Sequence, residues 1–147
     1  MTAGLDSFLA DEGDEYGPLG NDTGADVRAH YLNWRQDGKL RARFLPHLLR
    51  EWEIEDGDWD ELDPKQVERQ LAESPYRRLV RDDLIIGLAF AQLVVDGKVE
   101  EEIRRRALVA IERQGLNCVL AFRDWTDREM RVRALEIMRK LLSTEST

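Results

Sequence analysis

One cysteine, Cys118, is all the chain offers, so no intramolecular disulfide can staple it and its stability has to come from packing. Histidine is almost as scarce. His30 and His47 stand alone, with no His-x-x-x-His, Glu-x-x-His or Cys-x-x-Cys spacing to gather the three or four ligands a metal needs, so no metal and no cofactor is expected. A phosphate-cradling glycine loop and a nucleophile elbow are missing too, and Cys118 lies in an apolar run where a lone thiol is usually a small hydrophobe. No catalytic grouping is legible, and a non-enzyme is expected.

Long hydrophobic runs are also lacking. The most apolar stretch, residues 84–95, is about half of what a bilayer requires and reads as a buried helix, so no membrane association is expected. Met1 to Ala10 carries no basic residue and runs at once into Asp11, Glu12, Asp14 and Glu15, unlike a secretory signal, which with the single cysteine makes a cytoplasmic protein the expectation. Positive charge is short as well. The net charge of −8 argues against nucleic-acid binding, which demands a basic face rather than an acidic excess. Arg104-Arg105-Arg106 follows Glu100-Glu101-Glu102, giving i, i+4 pairs at 100/104, 101/105 and 102/106, and Arg77, Arg78 and Arg81 are offset by Asp82 and Asp83, so these bases are expected in local pairs.

What is present is helical periodicity in a chain of single-domain length. We expect an all-α, single-domain irregular bundle of about six helices over residues 21–143, with an acidic, partly ordered arm at 1–20 and a frayed tail at 144–147. Asn21 or Asp22 caps a first helix with Val27, Tyr31 and Trp34 on one face. A second spans about Lys39 to Glu53 with Leu40, Phe44, Leu48 and Trp52 inward, and Pro46 should kink or split it. Asp63-Pro64 opens a short third helix and Ser74-Pro75 breaks it. A nearly all-apolar helix over Leu79 to Asp96 should be central, with Gly87 permitting a close crossing and Gly97 closing it in a left-handed conformation. Val99 to Gln114 follows, ended in the same way by Gly115. The state of 116–122, helix or strand, is open, and Thr126-Asp127-Arg128-Glu129 reads as the capping box of the last helix.

Charge is unevenly spread. Residues 1–75 hold 18 acids against 8 bases, whereas 76–147 hold 12 against 14. The densest patch runs from Glu51 to Asp63, with eight acids, two tryptophans and no base. Three roles fit it. As a calcium loop it has Asp56, Asp58 and Asp60 at positions 1, 3 and 5, but Glu61 stands where glycine belongs and Val67 where glutamate belongs. As a solvated loop it would merely repel itself and extend. As a binding surface, Glu53, Glu55, Asp56, Asp58, Asp60 and Glu61 would steer a basic partner while an exposed Trp59 anchors it.

The run Gly17-Pro18-Leu19-Gly20-Asn21-Asp22-Thr23-Gly24-Ala25-Asp26, with Leu88-Ala89-Phe90-Ala91-Gln92, Asp96-Gly97-Lys98-Val99 and the ending Arg139-Lys140-Leu141-Leu142-Ser143, resembles an uncharacterised bacterial domain family whose members open near Gly-x-Phe-Asp-Asn-Asp-x-Ala-x-Asp. Leu19 and Gly20 replace that family's aromatic and aspartate. The resemblance implies a small intracellular bacterial protein without known enzymatic activity, of a kind that often serves as an immunity partner of a secreted toxin. The expectation is therefore an immunity protein that neutralises a cognate toxin with a basic cleft, through the acidic Trp59 segment. The alternative is a structural or regulatory helical subunit that homo-oligomerises.

Overall fold

The computed structural model describes residues 16–144, and among them the chain is all helix and turn. Seven α-helices follow in order: α1 (Asp22–Gln36), α2 (Phe44–Glu51), α3 (Pro64–Glu73), α4 (Pro75–Asp96), α5 (Glu101–Gln114), α6 (Asn117–Arg123) and α7 (Arg128–Thr144), with a 3-10 turn at Arg41–Arg43. The expected all-α single-domain bundle is what forms. Its additional helix is α6, in the stretch that periodicity left open. Residues 1–15 of the expected arm and 145–147 of the expected tail lie outside the described residues.

The long helix α4 is the axis. An unbroken run from Arg81 to Gln92 is buried on every side, because α1, α3 and α5 all pack on it. Such a helix needs apolar residues all round, and Leu84 to Ala91 supplies them. The main core joins Leu84, Ile85, Leu88 and Phe90 to Val27 and Tyr31 of α1, Phe44 and Leu48 of α2, Ile103 and Ala107 of α5, and Met138 and Leu142 of α7. A smaller cluster of Val67, Leu71 and Val119 holds α3 to α6.

The Gly17–Asp26 run has a structural explanation. Asn21 caps α1, its side-chain oxygen accepting from the Gly24 backbone N–H at 2.6 Å. A Cβ on Gly24 would fall 2.5 Å from the Pro18 carbonyl oxygen, and one on Gly87 would fall 3.0 Å from the Gly24 Cα. Two helices and the preceding turn thus meet where neither helix has a side chain, as expected of Gly87. Leu19, beside this junction, is fully buried.

Several boundaries differ from the sequence expectation, each for a local reason. Pro46 neither kinks nor splits a long helix; it sits in the first turn of α2, where its missing N–H would have had no partner. Leu40 then precedes the helix and is 66% exposed rather than inward. Pro75 starts α4 four residues before the apolar run, so Ser74 both ends α3 and precedes α4. Gly97 is left-handed (φ 78°), as expected, but Gly115 keeps φ −84° because α6 restarts two residues later. Asp127, not Thr126, caps α7 by accepting from the Met130 N–H.

Candidate functional site

The acidic segment between α2 and α3 is built from its carbonyls inward. At its start α2 ends in a Schellman motif: Ile54 N–H reaches the Leu49 carbonyl at 2.8 Å and Glu53 N–H the Arg50 carbonyl at 3.2 Å. That motif places Glu53 in the left-handed region (φ 54°), where glycine is the usual occupant. Asp58 is left-handed as well (φ 60°).

The rest of the segment is held by arginines from α4 and α5. Arg78 donates to the Asp58 carbonyl and to the Gln70 side chain, both at 3.0 Å. Arg81 donates to the Gly57 carbonyl at 3.0 Å, and Arg113 to the Trp59 and Glu61 carbonyls at 3.2 and 2.8 Å. Three buried guanidiniums thus terminate the backbone of a loop that has no regular structure. Asp82, fully buried on α4, gathers two of them: it accepts from Arg78 at 2.9 Å, from Arg113 at 2.6 Å, and also from Gln114 at 2.7 Å. Burial pulls the Arg78 and Arg81 guanidiniums below their ordinary range, and their carboxylate neighbours, Asp82 for the first and Asp58 for the second, oppose the pull.

On the outer side the acids meet bases one by one. Glu55 binds Arg77, Asp58 lies 3.6 Å from Arg81, and Asp60 binds Arg105 at 2.6 Å. Arg105 also binds Glu102, and these hydrogen bonds, that to Glu102 first, hold its guanidinium above the usual range. Within the Glu/Arg run of α5, Arg106 pairs with Glu102 at i, i+4 as expected, while Arg104 and Arg105 choose i, i+3 partners. Asp56, Asp58 and Asp60, which share the calcium-loop spacing, are directed to three different partners, and among the described residues no three His, Cys, Asp or Glu side chains gather as a metal ion would require.

Trp59 corrects the sequence reading. It is 6% exposed and belongs to the main core, with its indole N–H donating to Asp56 at 2.6 Å and the Arg106 guanidinium over its ring at 5.2 Å. The Asp56–Trp59 turn folds the indole inward because its apolar area is large and Asp56 satisfies its one polar atom. It is therefore not the exposed anchor. The other expected residues do share the segment's outer face: Glu53, Glu55, Asp56, Asp58 and Asp60 are exposed, and Glu61 is half-buried.

Two depressions flank the segment. On one side Asp58, Asp60 and Glu61 face Arg105 and Arg106 around about 420 Å³. On the other, a groove of about 460 Å³ opens between α1 and the start of α4, lined by Trp52, Ile54, Tyr76 and Val80 with Asp26, Glu53 and Arg77 at its charged positions. Tyr76 is 78% exposed there, and Trp52 is half-buried with its ring edge-on to His30 at 5.8 Å. Tyr76 carries no signal in the sequence because it sits in the first turn of α4, ahead of the apolar pattern, and Trp52, expected on the inward face of its helix and within the acidic patch, is half-buried at the groove. Arg113, the deepest link to the loop, gave no signal at all beyond an ordinary polar residue near a helix end.

Comparison with protein-family models, with curated proteins and with solved structures returns no match. No helix among the described residues is long and apolar enough to cross a membrane.

Proposed function

We propose that this chain is an immunity protein: a non-catalytic cytoplasmic inhibitor that binds a cognate bacterial toxin by laying its acidic face over a basic cleft. The observation that carries the proposal is the construction of the Glu53–Glu61 segment. Its backbone is terminated by Arg78, Arg81 and Arg113, yet Glu53, Glu55, Asp56, Asp58 and Asp60 are turned to solvent. A loop fixed before its partner arrives loses little conformational freedom on docking, and an exposed row of carboxylates speeds encounter with a cationic surface. Asn21 and Gly24 of the Gly17–Asp26 run have structural work at the α1/α4 junction, so that run is not counted toward this reading.

The test is co-expression of the tagged protein with the products of the genes flanking its own, read by affinity capture and by growth. The expected result is a stoichiometric complex with a neighbour that is toxic alone, and rescue of growth that is lost in a Glu53→Lys, Asp56→Lys, Asp58→Lys variant. No partner and no rescue would overturn the proposal, and an unchanged complex with the triple variant would move the contact away from this face.

One observation favours the alternative, a self-associating structural subunit. Leu108, Val109, Leu116, Val132 and Leu135 line a groove of about 610 Å³ between α5 and α7, and Val132 is 46% exposed. A second copy laid on that groove would leave the acidic segment to solubility alone. Light scattering separates the two: a stable homo-oligomer that captures no neighbour supports the alternative, and a monomer that protects supports immunity.

A further inference from the structure

We infer that the groove between α1, the Trp52–Ile54 turn and the start of α4 receives an arginine side chain projecting from the protein partner. The inference rests on the reading that this face docks a protein, and it names what the face takes hold of. Its floor is apolar and aromatic, with Trp52, Ile54 and Val80 half-buried and Tyr76 standing 78% exposed at the edge. An aromatic left so open, here in the first turn of α4 ahead of its buried run, is the residue type that carries binding energy at protein interfaces.

Charge then selects the occupant. Of the groove's three charged side chains two are acids, Asp26 from α1 and Glu53 from the end of α2, and the base, Arg77, is already bound by Glu55. The depression on the other flank of the acidic segment holds three acids, Asp58, Asp60 and Glu61, and two bases that already face them, with Arg105 bound to Asp60 and Arg106 over the Trp59 ring. On that flank a base pairs with an acid of the depression itself, whereas Arg77 pairs with Glu55, which does not line the groove, so Asp26 and Glu53 remain as the groove's acids. Arginine fits the groove better than lysine, because a planar guanidinium can lie against an aromatic face and still fork its N–H groups to carboxylates. Glu53 is held where it is by the Schellman geometry of α2 rather than by its side chain, so its carboxylate is free to engage.

The experiment needs no partner. The 15N-labelled full chain is titrated with millimolar N-acetyl-arginine methylamide, and the four tryptophan indole N–H resonances are followed, with the neutral isostere N-acetyl-citrulline methylamide as control. The expected result is a saturable shift of Trp52 with Trp34, Trp59 and Trp125 unmoved, and a much weaker response to citrulline. Tyr76→Ala and Glu53→Gln, both at exposed positions, should each weaken the arginine response by about 3-fold or more. Absence of a Trp52 shift, equal shifts at all four indoles, or an equal response to citrulline would overturn the inference. Failure of the groove and failure of the immunity reading remain separable. Arginine binding without any neutralised toxin leaves the groove standing and removes immunity; a captured toxin that holds the Tyr76→Ala, Glu53→Gln protein as tightly as the parent removes the groove and leaves immunity.

Discussion

At the scale of single residues, Glu53 is where stability and recognition pull in opposite directions. It occupies the left-handed C′ position of α2, a conformation that costs a residue with a Cβ about 1–2 kcal/mol relative to glycine. Nothing in the backbone hydrogen bonds of that motif requires a side chain, since the two bonds run from the Ile54 and Glu53 amides to helix carbonyls. Glu53→Gly should therefore raise the stability by about 1 kcal/mol, seen as a higher urea midpoint, while the same protein loses response to the arginine probe. A lowered midpoint would mean that the carboxylate makes a stabilising contact in the native state. The strain at Glu53 was not legible in the sequence, because Trp52-Glu53-Ile54 contains no glycine or asparagine to announce a left-handed residue. Trp59 failed for a related reason: a tryptophan in a run of acids reads as exposed until Asp56 is seen to take its N–H.

At the scale of helices, the architecture depends on how closely α1 and α4 approach. The crossing at Gly24 and Gly87 brings backbone against backbone, so an added methyl has no flexible side chain to displace. Gly87→Ala should gain roughly 1 kcal/mol in helix propensity but lose about 1–3 kcal/mol to overpacking, so the expected net effect is destabilising and accompanied by shifts along α1. Gly115→Ala is the contrasting case. Its φ of −84° suits any residue and its added Cβ would meet the Glu112 carbonyl oxygen at 3.4 Å, an ordinary contact, so this substitution should be neutral or stabilising by about 0.5 kcal/mol. Equal losses in thermal melts of the two variants would show that the crossing is not the tight point. Much of this level was readable beforehand. The periodicity of α1, α4, α5 and α7, the Asp63-Pro64 start, the Gly97 stop and the role of Gly87 follow from local spacing, whereas α6 is too short for periodicity to separate a helix from a strand.

At the scale of the whole molecule, the charge asymmetry is partly an internal arrangement. The bases of the back half fold onto the acidic segment of the front half, Arg77 to Glu55, Arg81 to Asp58 and Arg105 to Asp60, across separations in sequence that no local pattern reports. The deeper connection is Asp82, which orients Arg78 and Arg113 so that their remaining donors reach the carbonyls of Asp58, Trp59 and Glu61. The candidate site and the core are thus one cooperative unit. Asp82→Asn would leave two buried guanidiniums without their shared carboxylate, and removing one partner of a buried pair costs on the order of 3–5 kcal/mol. For a domain whose total stability is about 5–15 kcal/mol, that is a large fraction of the whole. Gln114→Leu removes a third donor from the same carboxylate at 2.7 Å but touches no atom of the loop, so its cost should be nearer 1–3 kcal/mol. The decisive readout is the Trp59 indole resonance, which reports on the loop through its bond to Asp56. It should shift in Asp82→Asn under conditions where the protein is still folded, remain in place in Gln114→Leu, and disappear in urea together with the helical circular dichroism of the parent. A loop signal lost well before the helices in the parent protein would show that the acidic face is carried on the bundle rather than built into it.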